Sequence, residues 1–208
     1  MARIIRLKRG EFLSPDQLAA VAAAVTAGKI IAFPTDTVYG LGSTGLVKAA
    51  ARRIYEIKQR PALKPLPVLV HSISAAKKWV VWTPEAAALS QRFWPGPLTL
   101  LLNPTEQGRL LTFGDCQTVA IRVPNQPVLL RMIEASGVPW ISTSANRSGA
   151  PALSDPALVI EQLGDAVDFV IDGGRAPGLE STIVEAVHAP IRLIRAGALK
   201  KEEIYEHA

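Results

Sequence analysis

Short β-branched segments alternate with helical segments along most of the chain, and this alternation restricts the possible folds more than any other feature. The apolar segments predicted to be strands are residues 29–33, 66–70, 98–102, 118–123, 167–171, 181–185 and 191–195. Helical spacing or helix-start signals lie between several of them. Alternating strands and helices predict an α/β fold, and the consecutive strands near the end predict mixed pairing in the sheet.

Capping signals predict where the helices begin and end. Ser14 is predicted to be an N-cap, and Gln17 completes a capping box with it. Gly28 can supply the left-handed residue that follows the last turn of the same helix. A later helix is predicted from 127 to 136, and Ser154 is predicted to cap the helix after it.

Composition excludes several classes of protein. A chain of 208 residues with 49% hydrophobic and 20% charged residues is a globular mixture, and its length favours one domain. One cysteine, Cys116, and three histidines exclude a disulfide framework and a multi-cysteine zinc site, and they favour a reducing, cytoplasmic location. No apolar run reaches the roughly 18 residues of a membrane span, so no membrane partner is expected. The formal net charge of +5 fits an anionic partner such as a nucleotide or RNA, or an incidentally basic surface.

Residues 40–45 read Gly-Leu-Gly-Ser-Thr-Gly, a match to the glycine pattern of dinucleotide-binding turns. Six residues, 34–39, separate this motif from the preceding predicted strand. No acidic residue follows about 20 positions later to hold a ribose. These two departures favour a plain turn over a dinucleotide site.

Three polar segments are more informative, and each has a structural alternative. Thr35-Asp36-Thr37 follows a predicted strand, where it could face a ligand crevice or form a local turn. Lys58, Arg60 and Lys64 lie in a proline-stiffened segment that could contact phosphates, although a solvated helix end also explains Lys58. Residues 142–149 form either a capped turn or a polar wall for a small ligand.

Two arginines occur within or at the end of apolar strands. Arg122 and Arg195 therefore need an anionic partner, which is either a protein carboxylate or a ligand. The chain contains no Ser-His-Asp set and no Cys-His pair that would supply a nucleophile with a base. Cations and hydroxyls suffice for phosphoryl or nucleotidyl transfer, because catalysis there is mainly orientation and charge neutralisation.

Motifs in a fixed order from about residue 14 to residue 200 extend this interpretation. They are Phe33-Pro34-Thr35-Asp36-Thr37-Val38-Tyr39-Gly40-Leu41-Gly42, Lys58-Gln59-Arg60-Pro61 with Lys64-Pro65-Leu66, Trp94-Pro95-Gly96-Pro97-Leu98-Thr99, Val119-Ala120-Ile121-Arg122-Val123-Pro124, Ser142-Thr143-Ser144-Ala145-Asn146, Glu180-Ser181-Thr182-Ile183 and Ile194-Arg195-Ala196-Gly197. Together they resemble the YrdC/TsaC family of threonylcarbamoyl-AMP synthases, in its short single-domain form.

The resemblance implies a fold, a reaction and a set of partners. The fold would be a twisted mixed sheet with flanking helices and a concave basic cleft, in one domain at 14–200 with flanking ends at 1–13 and 201–208. L-threonine, bicarbonate and ATP would give threonylcarbamoyl-AMP and pyrophosphate. Mg²⁺ would accompany the nucleotide, with no protein ligand identified for it. Partner transferases would pass the group to an adenosine beside the tRNA anticodon, and tRNA or double-stranded RNA could bind directly.

The resemblance also assigns site residues. Lys58 and Arg60 would be catalytic, neutralising charge as pyrophosphate leaves. The residues implied around ATP are Arg60, Lys64, Thr118, Asn146, Ser154 and Arg195. Those implied around L-threonine are Thr37, Arg122, Ser144 and Ser181, with Arg122 holding the amino-acid carboxylate in a bidentate pair. Position 64 departs from relatives that have Asn there. A non-catalytic RNA-binding protein and a paralogue of the same fold with another activity are the alternatives.

Overall fold

The computed structural model describes residues 2–59, 65–113 and 116–207. Its helices are α1 (Pro15–Thr26), α2 (Lys48–Lys58), α3 (Ile73–Ala76), α4 (Pro84–Phe93), α5 (Pro127–Ser136), α6 (Pro156–Leu163) and α7 (Lys201–Tyr205), with a 3₁₀ helix at Gln107–Leu111. Its strands are β1 (Arg3–Arg6), β2 (Ile31–Phe33), β3 (Gly40–Thr44), β4 (Val68–Leu69), β5 (Leu98–Leu102), β6 (Val119–Arg122), β7 (Trp140–Ser144), β8 (Phe169–Asp172), β9 (Thr182–Glu185) and β10 (Arg192–Arg195).

The ten described strands form one mixed sheet in the order β1-β8-β2-β3-β7-β4-β6-β5-β9-β10. Parallel pairs at β1-β8, β2-β8, β4-β6 and β5-β9 are interleaved with antiparallel pairs. The predicted α/β class and the mixed pairing are confirmed.

Helices cover both faces of this sheet. On one face α1 and α5 pack over β1, β2, β7 and β8, where Phe33 and Trp140 meet edge to face. A larger apolar cluster fills the other face, beneath α2, α4 and α6. The two-residue period of the strands divides their side chains between the layers. In β5, for example, Leu98, Leu100 and Leu102 are fully buried in the larger cluster, and the residues between them point to the first face.

Local signals predicted several boundaries well. The Ser14 capping box opens α1, Gly28 is left-handed at φ +78°, and Gly137 ends α5 with φ +66°. One predicted cap is wrong. The N-cap of α6 is Asp155, whose carboxylate accepts the Ala157 N–H.

Both segments predicted to flank the domain pack onto it. Strand β1 adds to the sheet beside β8, and Ile5 is buried between α1 and α5. Near the other end, Ile204 of α7 is fully buried in the larger cluster. The described fold therefore extends beyond 14–200 at both ends.

The plain turn predicted for the glycine motif at 40–45 is wrong for residues 40–44, and the motif does not form the dinucleotide-binding turn that the sequence disfavoured either. Residues 40–44 are the strand β3, paired antiparallel with β2 and β7. A Cβ at Gly42 would lie 2.5 Å from the Ile141 carbonyl oxygen, and one at Gly40 would lie 2.5 Å from the Phe33 ring. Glycine is required here because neighbouring groups approach the strand too closely for a side chain.

Candidate functional site

A cleft of about 320 Å³ lies on the face of the sheet that α1 and α5 partly cover. Strand residues that alternate with core residues form its floor, among them Leu69, Thr99, Leu101 and Ala120. The 34–39 loop and the end of β7 form one wall, and residues 180–183 with the end of β10 form the other. The described lining thus comes from seven strands, β3 to β7, β9 and β10, together with the loop that joins β2 to β3 and short segments beside β4 and β9.

Arg122 lies at the end of β6 and is nearly fully buried. Its Nε donates to the Gly96 carbonyl at 2.9 Å, its Nη1 to Thr37 Oγ1 at 3.1 Å and its Nη2 to Asp36 Oδ1 at 2.6 Å. Burial lowers the pKa of the Arg122 guanidinium, and the neighbouring Asp36 carboxylate opposes that shift. A guanidinium has five N–H donors, so two remain for a ligand.

The Asp36–Arg122 pair is a buried ion pair, with side chains that are 12% and 6% exposed. The other carboxylate oxygen of Asp36, Oδ2, is buried, and no hydrogen-bond partner for it lies among the described residues. Sequence analysis left open whether Arg122 meets a protein carboxylate or a ligand. The protein supplies the carboxylate.

Thr35-Asp36-Thr37 was predicted either to face a ligand crevice or to form a local turn, and in the 34–39 loop it does both. Thr35 Oγ1 accepts the Thr37 N–H at 3.0 Å and donates to the Val38 carbonyl at 2.7 Å, which is a local hydroxyl turn. Thr35 and Thr37 also line the cleft. The turn therefore holds two hydroxyls at the ligand-facing wall.

Arg195 forms the opposite wall, and its partner is Glu180. Its Nη1 donates to Glu180 Oε2 at 3.0 Å, and its Nη2 donates to the Ser181 carbonyl at 2.8 Å and to Ser181 Oγ at 3.2 Å. The Arg195 and Glu180 side chains are 39% and 42% exposed. This arginine too has a protein carboxylate, but one that solvent reaches.

Lys58 ends α2 and is only 3% exposed. Its ammonium donates to the Ser144 carbonyl at 2.6 Å, the Asn146 carbonyl at 2.7 Å and Asn146 Oδ1 at 3.1 Å. The Lys58 carbonyl accepts the Ser148 N–H at 2.9 Å. Lys58 thus fixes the segment that follows β7, which a solvated helix end would not do.

Of the eleven predicted site residues, nine are described, and five of these line the cleft. Those that line it are Thr37, Arg122, Ser144, Ser181 and Arg195. Lys58, Thr118, Asn146 and Ser154 are described but do not line the cleft as it stands. The Asn146 amide donates to the Arg147 and Ala150 carbonyls, so its side chain is engaged locally. Arg60 and Lys64 lie outside the described residues.

Sequence reasoning missed three polar residues that line the cleft: Tyr39, Thr99 and Glu180. Tyr39 Oη donates to the Gly174 carbonyl at 2.8 Å and accepts the Gly173 N–H at 3.2 Å. Burial raises the pKa of the Tyr39 phenol above its usual range. All three lie within the motifs quoted above, which is the signal that could have found them, but their hydrogen-bond partners lie 15 to 135 residues away and are not visible in the motifs.

The described residues contain no group of three or more His, Cys, Asp or Glu side chains that could hold a metal ion. Within 2–59, 65–113 and 116–207, no helix has the length and apolar composition needed to cross a bilayer.

Comparison with known proteins gives consistent results. The family model Sua5/YciO/YrdC, described as telomere recombination, matches residues 23–197. The threonylcarbamoyl-AMP synthase of Pyrococcus abyssi is 41% identical over 179 residues, which are 85% of this chain and 53% of that protein. The chain spans about half the length of the curated relatives that it matches at 39–41% identity.

Solved structures agree with the sequence matches. The crystal structure of P. abyssi Sua5 complexed with L-threonine has a TM-score of 0.90 and 39% identity, covering 98% of this chain and 60% of that one. E. coli YciO has a TM-score of 0.88 and 26% identity, covering 96% of this chain and 98% of that one.

Proposed function

Because the chain belongs to the Sua5/YciO/YrdC family, we propose that it is a nucleotidyltransferase that makes L-threonylcarbamoyl-AMP. The substrates are L-threonine, bicarbonate and ATP, and pyrophosphate is released. The observation that carries the proposal is the pair of arginines on opposite walls of one cleft, Arg122 and Arg195. One suits an amino-acid carboxylate and the other suits a phosphate.

The reaction forms two bonds. The threonine amine attacks the carbon of bicarbonate to give a carbamate; the C–OH bond breaks, and the hydroxyl leaves as water with the proton that the nitrogen loses. If carbon dioxide is the acceptor, one C=O π bond opens instead and the proton from the nitrogen goes to solvent. A carbamate oxygen then attacks the α-phosphorus of ATP in line, and the bond to the pyrophosphate oxygen breaks. Catalysis here requires orientation and neutralisation of charge rather than a titrating base. Arginines and hydroxyls are the groups that the cleft offers.

The carboxylate of the amino acid belongs at the buried wall of the cleft, and the rest of the molecule reaches towards Ser181 on the opposite wall. The two N–H donors that Arg122 has left would bind its carboxylate, beside the hydroxyls of Thr37, Ser144 and Ser181. Arg122 is held on three sides, so its orientation is set before the ligand arrives. Preorganised donors of this kind cost little to order on binding.

ATP belongs towards Arg195, with Thr118, Asn146 and Ser154 as the further contacts implied by the resemblance. Arg60 and Lys64 remain predicted triphosphate contacts. Lys58 would act through its charge, because a cation that is 3% exposed is weakly screened by solvent. It also holds the Ser144 and Asn146 carbonyls in place. Mg²⁺ would enter as part of the nucleotide substrate, bound by phosphates and water.

A single assay tests this proposal. The protein is incubated with ATP, bicarbonate and L-threonine, and pyrophosphate is measured with and without the amino acid. Release that depends on threonine is expected, and its absence would refute the synthase. Arg60→Ala should abolish turnover, whereas Arg52→Ala, which removes an exposed cation of α2, should not.

A second candidate is a paralogue with the same fold and another activity, because the likeness to E. coli YciO, over nearly the full length of both chains, shows the fold without naming an activity. That candidate predicts a protein that binds nucleotide but releases no pyrophosphate in response to threonine. The synthase, by contrast, implies downstream transferases that carry the threonylcarbamoyl group to tRNA.

A further inference from the structure

Two buried threonines, Thr35 and Thr99, have no role in the reaction described above. Each is hydrogen-bonded to another hydroxyl of the cleft, Thr37 in one case and Ser181 in the other. A hydroxyl has one hydrogen and two lone pairs, so its neighbours can decide whether it donates to a ligand or accepts from one. The inference below rests on the proposed binding of an amino acid in this cleft.

At the buried wall the hydrogens can be assigned from the contacts. Thr35 Oγ1 lies 2.7 Å from the Val38 carbonyl, and only Thr35 can supply the hydrogen for that contact. The 2.8 Å contact between Thr35 Oγ1 and Thr37 Oγ1 must then use the hydrogen of Thr37. Arg122 Nη1 donates to one lone pair of Thr37 Oγ1. What Thr37 has left for a ligand is one lone pair, so it is an acceptor.

At the opposite wall the same reasoning gives the opposite result. Thr99 is 1% exposed, and Ser181 Oγ, at 2.9 Å, is the partner of its hydroxyl. A buried hydroxyl that fails to donate is costly, so Thr99 donates its hydrogen to Ser181 Oγ, which accepts it. Arg195 Nη2 donates to the same oxygen at 3.2 Å. Both lone pairs of Ser181 are then filled, and its own hydrogen is left for the cleft, so it is a donor.

We propose that Thr35 and Thr99 are positioning residues that fix the hydrogen-bond polarity of the cleft, making Thr37 an acceptor and Ser181 a donor. An α-amino acid bound with its carboxylate on Arg122 would place its ammonium group, a donor, at Thr37. An oxygen of the ligand, an acceptor, would lie at Ser181. This pattern of acceptor and donor favours an amino acid bound with its nitrogen at Thr37 and an oxygen at Ser181. It disfavours the reverse orientation, in which the nitrogen would face the Ser181 donor.

Calorimetric titration of the full chain with L-threonine tests the proposal through matched variants. Thr99→Val keeps the shape of the side chain and removes the hydroxyl, and Thr99→Ser keeps the hydroxyl. Thr99→Val should weaken threonine binding about fivefold, and Thr99→Ser should bind within about twofold of wild type. A purely structural role predicts instead that both variants lose affinity in proportion to their loss of thermal stability.

The Ser181→Ala background separates positioning from packing. Thr99 acts through Ser181, so Thr99→Val should cause no further loss of affinity when Ser181 is absent. An equal loss in both backgrounds would overturn the proposal. If wild-type protein does not bind L-threonine at all, the proposed function fails.

Neutron diffraction from deuterated protein tests the polarity directly and does not depend on the proposed function. The deuterium between the Thr35 and Thr37 hydroxyl oxygens is expected to be covalently attached to Thr37 Oγ1. Deuterium attached to Thr99 Oγ1 is expected to point at Ser181. Deuterium attached to Thr35 Oγ1 and pointing at Thr37, or deuterium attached to Ser181 Oγ and pointing at Thr99, would overturn the proposal. This test uses wild-type protein, so it remains decisive even if a valine variant fails to fold.

Discussion

The two walls of the cleft hold their arginines in different ways. Arg122 and Asp36 are 2.6 Å apart and nearly sealed from water, whereas Arg195 and Glu180 are 3.0 Å apart and about two-fifths exposed. Removing one partner of a buried ion pair leaves the other charge buried with neither a counterion nor water, which is costly. An exposed ion pair contributes little to stability. The buried wall is therefore suited to hold one rigid geometry, and the exposed wall is suited to exchange its carboxylate for a ligand phosphate.

The largest expected effect comes from breaking the buried pair. Asp36→Asn should lower the free energy of unfolding by about 3–5 kcal/mol, because Arg122 keeps its charge and loses its counterion. The matched change at the exposed wall, Glu180→Gln, should cost less than about 1 kcal/mol. Urea denaturation measures both. Equal losses of unfolding free energy in Asp36→Asn and Glu180→Gln would show that the two ion pairs contribute alike, and would contradict the distinction between a buried and an exposed wall.

Salt should act on the two ligands unequally. Raising NaCl from about 0.05 M to about 0.5 M should weaken ATP binding about tenfold or more, because exposed charges are screened. L-threonine, whose carboxylate we propose to lie at the buried wall, should lose less than about threefold in affinity. Calorimetry on wild-type protein gives both values. A threonine affinity that falls as steeply as that of ATP would place the amino acid at an exposed site.

Tyr39→Phe tests what anchors the 34–39 loop, which belongs to the buried wall. The change removes the hydrogen bonds to Gly173 and Gly174 and should cost about 1–2 kcal/mol of stability. The raised pKa of Tyr39 means that the folded protein keeps the phenol neutral where the unfolded chain ionises. The stability contributed by Tyr39 is present below about pH 10 and is lost as pH rises above it. Wild type and Tyr39→Phe should therefore converge in strongly alkaline urea titrations, and a constant gap would contradict this.

The smallest effect should be a gain. Glu180 forms an ion pair with Arg195, so a phosphate that binds Arg195 must displace the Glu180 carboxylate. Glu180→Gln should therefore raise ATP affinity about two- to fivefold, because an exposed ion pair of about 0.2–1 kcal/mol no longer competes. Asp36→Asn should give no such gain. A weaker affinity for ATP in Glu180→Gln would mean that Glu180 supports the nucleotide rather than competing with it.

Local chemistry in the sequence predicted much of the fold. The bounds of α4 and α5 follow from proline and a polar cap at the start of each helix, and from Gly137 at the end of α5. Strand β3 could not be predicted in this way. Its glycines look like a turn in sequence, and only contacts made in the folded sheet, with the Phe33 ring and the Ile141 carbonyl, explain them. Strand β1 was missed for the same reason, because its partner β8 lies more than 160 residues away.

The site, like the fold, has features that the local sequence predicted and features that depend on contacts between distant segments. Arg122 and Arg195 were recognisable as arginines in apolar strands that need an anion, and Thr37, Ser144 and Ser181 came from motif resemblance. Which carboxylate each arginine meets depends on the sheet order, which no segment encodes by itself. The roles of Thr35 and Thr99 depend on hydrogen-bond counts that only coordinates supply.

The central claim, that one cleft joins an amino acid, bicarbonate and ATP, is tested most directly with carbon-13 bicarbonate. The protein is incubated with labelled bicarbonate, ATP and L-threonine, and the products are identified by mass spectrometry. The account predicts threonylcarbamoyl-AMP that carries the label, formed together with an equal amount of pyrophosphate and only when all three substrates are present. Pyrophosphate released without incorporation of the label, or no adenylate at all, would contradict it.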